Sequence, residues 1–279
     1  MHLKLMYITN NPDVALIAQK NGVERIWIDL ETEGKEERQK GIDSVKSHHC
    51  TEDIKKIKPL LTTSELLVRI NPWSENSKNE LENVLSCGAD AVMLPMWKTA
   101  GEVEKFLNTV GSRATKILLL ETKEAVECLD DVLTLKGIDE IHIGLNDLHL
   151  SYGLTFMFEL LSNGVVEKLC DKIRAAQIPY GFGGIAGIGG GMLPAENIVL
   201  EHKRLGSRQV ILSRSFCNAE LCADIAETEK VFRENIRKLR DFEKYATEAK
   251  EDVLWQNKIE VEQKVKAIVE IMTERKNNG

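Results

Sequence analysis

The chain has 279 residues, of which 43% are hydrophobic, and a formal net charge of −7. This length suits one large α/β barrel or two ordinary domains. The acidic balance, without a basic block, argues against nucleic acid or an anionic membrane as the main partner. No apolar run is long enough to span a bilayer, and the N-terminus lacks the form of a signal peptide. The six cysteines form no CxxC pair, so we expect reduced, mostly buried thiols in a cytoplasmic protein.

Apolar runs alternate with amphipathic segments along most of the chain, a pattern that predicts eight strands with helices between them. The strands are predicted at 3–9, 25–30, 65–70, 89–96, 117–120, 140–144, 179–184 and 209–213, and the helices at 14–22, 51–61, 76–88, 99–111, 123–135, 165–177 and 196–205. This count favours a closed (β/α)8 barrel over residues 1–216 rather than an open doubly wound sheet. No GxGxxG follows the first strand, as a dinucleotide-binding fold would tend to show.

Residues 217–279 are predicted to form a helical tail, because this segment has no proline, has no glycine before Gly279, and is rich in Glu, Lys and Ala. Apolar residues recur at helical spacing in it. They are Leu254, Val261, Val265, Ile268 and Met272. The stripe fits either this chain's own barrel or a partner subunit. A finished barrel already buries its own helices, so we expect the tail to close the barrel and to pack on a partner in a homo-oligomer.

Functional groups of a (β/α)8 barrel lie at the carboxyl-terminal ends of the strands. In this chain that end carries Asp29, Glu31, Arg69, Glu121 and Asp147. If the strands before Glu121 and Asp147 are parallel neighbours, both carboxylates emerge together and suit a hard divalent cation with open coordination positions. A 2-oxo acid can fill two of these positions and form a stabilised enolate. Arg69 would add a positive charge near the enolate oxygen, and the alternative for it is an ion pair with Glu31.

Five segments resemble the HpcH/HpaI aldolase and citrate lyase β-subunit superfamily. They are IWIDLE (26–31), LVRINP (67–72), GADAVMLPM (88–96), LLLET (118–122) and GIDEIHIGLNDLHLSYG (137–153). The resemblance implies a (β/α)8 barrel whose terminal helix is often exchanged between subunits. It also implies a divalent cation, Mg, Mn or Co, held by Glu121 and Asp147, and a pyruvate-type enolate stabilised by Arg69.

Two positions depart from that family pattern. Thr32 stands where the aldolases usually have histidine and the lyase branch has aspartate, and Leu119 replaces a usual glutamine. Replacement bases are available in His48 and His49, in the loop after the second strand, and in His149. Histidine can move protons at neutral pH, and a metal-bound water is the other candidate.

A glycine-rich segment, GFGGIAGIGGG at 181–191, follows the seventh strand. Barrels often bind phosphate there through backbone N–H groups, which predicts a cradle for a phosphorylated or nucleotide-linked acceptor. The other reading is a flexible lid or tight packing where side chains do not fit. Besides Arg69, the expected substrate contacts are Gly144, Asn146, Pro95, Trp97 and Arg214.

The residues leave three hypotheses for the function. The first is a metal-dependent aldolase that makes or breaks a carbon–carbon bond between a pyruvate-type enolate and an aldehyde, with Glu31 orienting a metal-bound water. The second is a citrate-lyase-like enzyme that acts on an acyl thioester. The third is a barrel that has lost catalysis and serves as a binding or assembly module. Schiff-base chemistry is not expected, because the sixth strand ends without a lysine and Lys98 is the nearest candidate.

Overall fold

Strands and helices alternate along the chain as in a (β/α)8 barrel followed by a helical tail, which confirms the predicted fold class. The structure is a computed structural model that describes residues 1–32, 49–219 and 221–277. The chain divides into two compact units. The N-terminal unit is Leu5–His142, and the C-terminal unit is Ile143–Gly279 together with Met1–Lys4.

The first half of the chain supplies six strands and six α-helices among the described residues. They are β1 (Lys4–Ile8), α1 (Pro12–Lys20), β2 (Arg25–Asp29), α2 (Thr51–Ile57), β3 (Glu65–Arg69), α3 (Ser77–Ser86), β4 (Ala91–Leu94), α4 (Ala100–Val110), β5 (Thr115–Leu120), α5 (Lys123–Glu127), α6 (Leu129–Val132) and β6 (Glu140–Ile143). Strands β1 to β5 pair as parallel neighbours in sequence order. All residues of β2 and β4 are buried, as expected for strands of a parallel sheet that is covered on both faces.

The second half supplies the remaining elements. They are α7 (Leu145–Ser151), α8 (Glu159–Ser162), α9 (Val165–Ala175), β7 (Tyr180–Phe182), β8 (Gly184–Ile185), α10 (Ala195–Leu205), β9 (Gln209–Leu212), α11 (Ile225–Glu248) and α12 (Glu251–Asn277). Gly183, at φ 53°, separates β7 from β8, so the predicted seventh strand consists of two pieces. Strand β8 pairs in parallel with β9.

Several element boundaries differ from the prediction. The predicted fifth helix is two short helices, α5 and α6, separated by Cys128 at φ −98° and ψ 9°. Helices α7 and α8 were not predicted, because each is short and follows a strand or a loop without a clear helical period. The tail breaks at Ala249, whose ψ of 127° ends α11, and no glycine or proline marks that break.

The expectation of mostly buried cysteines is wrong. All six cysteines are free thiols, but only Cys170 and Cys217 are buried. Three of the others lie at helix ends, Cys50 before α2, Cys87 after α3 and Cys128 after α5. Helix ends lie near the surface, so these thiols keep some contact with solvent.

The last helix, α12, packs on α8 and α10 of the C-terminal unit. Leu254, Val261 and Val265 of the predicted stripe are buried. The side chain of Asn257 donates to the carbonyl oxygen of Asn197, at 3.1 Å. Within one chain, therefore, the tail covers part of its own C-terminal unit. Neither this helix nor another in the described ranges has the length and hydropathy that crossing a membrane requires.

A fully buried arginine, Arg25, begins β2. Its Nη2 donates to Oε2 of Glu65 at 2.6 Å, and its Nη1 donates to Oε2 of Glu140 at 2.7 Å. Burial alone would lower the pKa of the guanidinium, but the hydrogen bonds and charges of Glu140 and Glu65 raise it above its usual value. Arg25 therefore stays charged and joins the amino-terminal ends of β2, β3 and β6.

We expect Arg25→Met to lower the free energy of unfolding by about 3 to 5 kcal/mol, because it leaves Glu140 partly buried without its cation. Urea denaturation followed by circular dichroism measures this. The matched control is Arg113→Met, which breaks a 2.7 Å pair with Glu82 at the surface and should change stability little. Equal effects of the two substitutions would show that the contacts of Arg25 with Glu65 and Glu140 stabilise the fold no more than a surface ion pair does.

Candidate functional site

Strands β2 and β3 end in a paired aspartate and arginine. The strand register places Asp29 opposite Arg69. The guanidinium donates from Nε to Oδ1 and from Nη2 to Oδ2 of Asp29, both at 2.9 Å. Its Nη1 lies 3.1 Å from Oε2 of Glu31. The predicted alternative for Arg69, an ion pair with Glu31, is thus present, and a bidentate pair with Asp29 accompanies it.

Glu121 follows β5 and is also buried. Its Oε1 accepts the backbone N–H of Met96 at 3.1 Å. Met96 has φ 53°, a left-handed conformation that costs a residue other than glycine about 1 to 2 kcal/mol. The hydroxyl of Thr122 donates to the carbonyl oxygen of Trp97 at 2.9 Å, so the segments after β4 and β5 are tied together at two points. These bonds hold the Glu121 carboxylate in one orientation.

We call Asp29, Glu31, Arg69 and Glu121 the Arg69 cluster. Burial alone would lower the pKa of the Arg69 guanidinium, but the charges of Asp29 and Glu31, with a smaller effect of Glu121, raise it well above its usual range. Arg69 therefore carries a fixed positive charge. Three carboxylates surround this one guanidinium, so the four side chains together have a formal charge of −2. An arginine has five N–H donors; two of them bind Asp29, and Nη1 is in ion-pair contact with Glu31.

His49 is hydrogen-bonded to a member of this cluster, Asp29. Its Nδ1 lies 3.0 Å from the backbone nitrogen of Asp29. A backbone N–H can only donate, so Nδ1 is unprotonated and the neutral ring carries its proton on Nε2. In this arrangement His49 holds the backbone of Asp29 and offers an N–H donor, but it has no free nitrogen that could accept a proton. His48, the other candidate from this loop, lies outside the described residues.

The remaining acid and histidine lie on α7 in the C-terminal unit. Asp147 is in the first turn of that helix, and His149 is buried. Nδ1 of His149 lies 3.2 Å from the carbonyl oxygen of Leu145, which can only accept. His149 therefore carries its proton on Nδ1, and Nε2 is the nitrogen with a lone pair, which is the arrangement that a general base needs.

The predicted substrate contacts differ in exposure. Pro95 and Trp97 are buried, Gly144 precedes α7, and Asn146 and Arg214 are exposed. The Schiff-base candidate Lys98 is exposed and lies 3.7 Å from Glu124.

Thr32, at the position of the family histidine, is held by a neighbouring asparagine. The Thr32 N–H donates to Oδ1 of Asn71 at 2.9 Å, and its hydroxyl lies 3.3 Å from the same oxygen. Because Asn71 follows the strand that carries Arg69, this contact ties the segment after β2 to the segment after β3.

The chemistry of the predicted metal ligands, Glu121 and Asp147, fits a hard cation, because both supply carboxylate oxygens. They belong to different units. Among the described residues, no group of three or more His, Cys, Asp or Glu side chains is arranged to hold a metal ion.

The glycine-rich segment contains its own anion. The N–H of Gly189 donates to Oε1 of Glu196 at 2.9 Å, and Glu196 lies in the first turn of α10. A Cβ atom on Gly191 would lie 2.7 Å from the carbonyl oxygen of Leu193. These contacts favour the tight-packing reading, because a side-chain carboxylate already takes one of the donors that a phosphate would need.

Two members of the site environment went without a role in the sequence reading, Asp29 and Trp27. The Cζ atom of Arg69 lies 5.2 Å from the centroid of the Trp27 ring. Both residues lie on β2, two positions apart and so on the same face. The parallel register of β2 and β3, which end together, would have identified Asp29 as the partner of Arg69. Nothing in the sequence shows that the Arg69 side chain lies over Trp27.

Comparison with known proteins agrees with this picture. Residues 4–176 match the model of a family described as HpcH/HpaI aldolase/citrate lyase. A 2-keto-3-deoxy-L-rhamnonate aldolase of Escherichia coli is 25% identical over 146 residues, which cover 40% of this chain and 54% of that protein. The chain thus spans about half the length of the curated relatives that it matches.

Solved structures show the same fold at low identity. An HpcH/HpaI aldolase from Desulfitobacterium hafniense has a TM-score of 0.58 at 15% identity and covers 86% of this chain and 93% of its own. A protein of the HpcH/HpaI aldolase/citrate lyase family from Burkholderia cenocepacia has a TM-score of 0.59 at 14% identity and covers 86% of this chain and 95% of its own.

We expect Gly191→Ala to lower the free energy of unfolding by about 3 kcal/mol, because the added Cβ combines a positive φ with a backbone clash. Gly189→Ala is the matched control. Its φ is also positive but the Cβ meets no atom within 4 Å, so the cost should be about 1 kcal/mol. Thermal unfolding of the two variants measures the difference. If both variants unfold alike, the segment is not tightly packed at Gly191.

Proposed function

The chain belongs to the HpcH/HpaI aldolase/citrate lyase family, and from this premise we propose that it is a divalent-metal-dependent carbon–carbon lyase. It would form or cleave the bond between a pyruvate-type enolate and an aldehyde. The observation that carries the proposal is the Arg69 cluster, in which the charges of three buried carboxylates act on one guanidinium whose side chain is only 11% exposed. A buried group with this excess of negative charge suits a bound cation.

Glu121 and Asp147 are the proposed ligands of the cation, with Mg, Mn or Co as candidates. This assignment rests on the family resemblance and on the oxygen chemistry of the two side chains. When bound, a divalent cation supplies a Lewis acid that stabilises negative charge on the keto oxygen of a 2-oxo acid.

Arg69 is proposed to bind the same substrate. Its N–H donors that are not bound to Asp29 can donate to a carboxylate or keto oxygen, and its charge is permanent. Asp29 fixes the plane of the guanidinium through two bonds, so these donors are pre-oriented. Glu31, held by Arg69, is proposed to orient a metal-bound water.

His149 is the proposed base. In aldol cleavage the hydroxyl proton of the substrate passes to Nε2 of His149 as the carbon–carbon bond breaks, the aldehyde leaves, and the electron pair stays on the enolate. Nδ1 is engaged with the carbonyl of Leu145, which fixes the tautomer that this step needs. His49 is proposed to hold the backbone of Asp29 in place and not to take a proton.

The other sequence hypotheses have less support. The citrate-lyase-like alternative could use the glycine-rich segment to meet a nucleotide-bearing carrier, but one N–H of that segment, at Gly189, is already bound to Glu196. A non-catalytic module would not need the buried charges of the Arg69 cluster, which are costly to keep. Association through the C-terminal helices, a cytoplasmic location and a phosphorylated acceptor remain predictions. Trp255 and Ile271 of α12, 59% and 50% exposed, support association because they are large apolar side chains at the surface.

We expect the protein with Mn²⁺ to decarboxylate oxaloacetate, because loss of carbon dioxide leaves the same pyruvate enolate, and we expect chelation to abolish the reaction. Glu121→Gln should weaken Mn²⁺ binding at least about tenfold in calorimetric titration while thermal unfolding shows a folded protein. Glu124→Gln, three residues further and half exposed, is the control and should bind Mn²⁺ as the natural protein does. Unchanged Mn²⁺ binding by Glu121→Gln would refute the ligand assignment.

His149→Asn should lower kcat for aldol cleavage by about 10²-fold or more, because it removes the proton acceptor. His49→Asn should lower kcat far less, since the amide oxygen can still accept the Asp29 N–H. Steady-state kinetics with a 4-hydroxy-2-oxo acid, such as 4-hydroxy-2-oxopentanoate, compares the two variants. A larger loss in His49→Asn would contradict the assignment drawn from the ring tautomers.

A further inference from the structure

The side chain of Trp27 lies under the guanidinium of Arg69. Trp27 is in the middle of β2, faces Leu67 of β3 in the register, and is 1% exposed. Arg69 stands two residues further along β3, opposite Asp29. Its side chain extends back so that Cζ lies 5.2 Å from the centre of the indole ring. This distance is within the range of cation–π attraction, which is strongest for tryptophan and for desolvated pairs.

The indole N–H of Trp27 is a reason to ask why a tryptophan occupies this buried position. Nε1 is buried and has no hydrogen-bond partner among the described residues. A buried donor without a partner is unfavourable, and a strand core normally takes an aliphatic residue that carries no such donor. The neighbours Ile26 and Ile28 on the same strand are of that kind. Besides its larger volume, Trp27 has one property that isoleucine lacks, an aromatic face under Arg69.

We propose that Trp27 is a positioning residue for Arg69, an assignment that rests on the proposed function. Asp29 holds one edge of the guanidinium through two hydrogen bonds, and Glu31 forms an ion pair with its Nη1 at 3.1 Å. The Trp27 ring adds a contact over which the guanidinium carbon lies. Together the three contacts hold the guanidinium in one orientation.

This arrangement predicts which kinetic constant depends on Trp27. Negative charge on the substrate oxygen grows as the enolate forms, so a misaligned Arg69 stabilises the transition state less than before while binding the ground state nearly as well. Loss of the ring should therefore lower kcat and leave KM almost unchanged. A residue that only fills the core would change the thermal stability and leave the kcat of the folded protein as it was.

The experiment compares Trp27→Leu with Trp27→Phe in the full-length protein loaded with Mn²⁺, using oxaloacetate decarboxylation. We expect Trp27→Leu to lower kcat on the order of tenfold, the loss that corresponds to a desolvated cation–π contact, with KM within about twofold. Trp27→Phe keeps an aromatic face and should retain most of kcat. The control is Trp255→Leu, which removes the exposed ring 5.1 Å from Nζ of Lys258 and should leave kcat unchanged.

A second readout does not depend on activity. In a ¹H–¹⁵N spectrum the Nε–H signal of Arg69, assigned by its loss in Arg69→Lys, should be shifted by the ring current of Trp27. It should move towards the free-arginine position in Trp27→Leu and less in Trp27→Phe.

The two readouts separate the two proposals. If the natural protein lacks decarboxylase activity but shows the shifted signal, the proposed function fails and the Arg69–Trp27 contact stands. Two results would overturn the positioning role. One is full kcat in folded Trp27→Leu, and the other is equal loss in Trp27→Phe and Trp27→Leu, which would assign the effect to the indole N–H.

Discussion

The bidentate ion pair between Arg69 and Asp29 is the constraint on which the candidate site depends. A guanidinium can be buried at the end of a strand only where carboxylates meet its N–H donors, and Asp29 meets two of them. The other groups follow from this pair. Glu31 forms an ion pair with Nη1 of Arg69, His49 accepts the backbone N–H of Asp29, and Trp27 lies under the guanidinium. One contact between two strand ends thereby organises the chemistry around it.

Two arginines, Arg25 fully buried and Arg69 11% exposed, lie near opposite ends of the same pair of strands and have different roles. Arg25, at the amino-terminal end of β2, meets Glu65 and Glu140, and its role is to hold three strands together. Arg69, at the carboxyl-terminal end of β3, has three carboxylates around it. This is the end where a barrel places its functional groups. The larger number of carboxylates at Arg69 is what supports the proposed cation site there, whereas the contacts of Arg25 support a structural role.

Hydrogen-bond partners, more than residue type, decide what the polar groups can do. His49 receives a backbone N–H and His149 faces a backbone carbonyl, so the two rings adopt opposite tautomers. The glycine-rich segment shows the same principle. Its composition suits an anion, but the carboxylate of Glu196 supplies that anion from within the chain. In both cases the hydrogen-bond partner determines which donor or acceptor of the motif is already in use.

The sequence by itself determined the fold class, the family and the alternation of the main strands and helices, although it missed the short helices α7 and α8. Apolar runs and amphipathic segments are local patterns, and local patterns report secondary structure directly. It also identified Arg69, Glu31 and Glu121 as residues that follow or end strands. Only the tertiary structure decided that Asp29 is the main partner of Arg69, that Trp27 lies beneath it, and that α11 and α12 are separate helices. These features depend on side chains from distant parts of the chain meeting in space, and spacing along a sequence carries no information about which rotamer or which partner the packing selects.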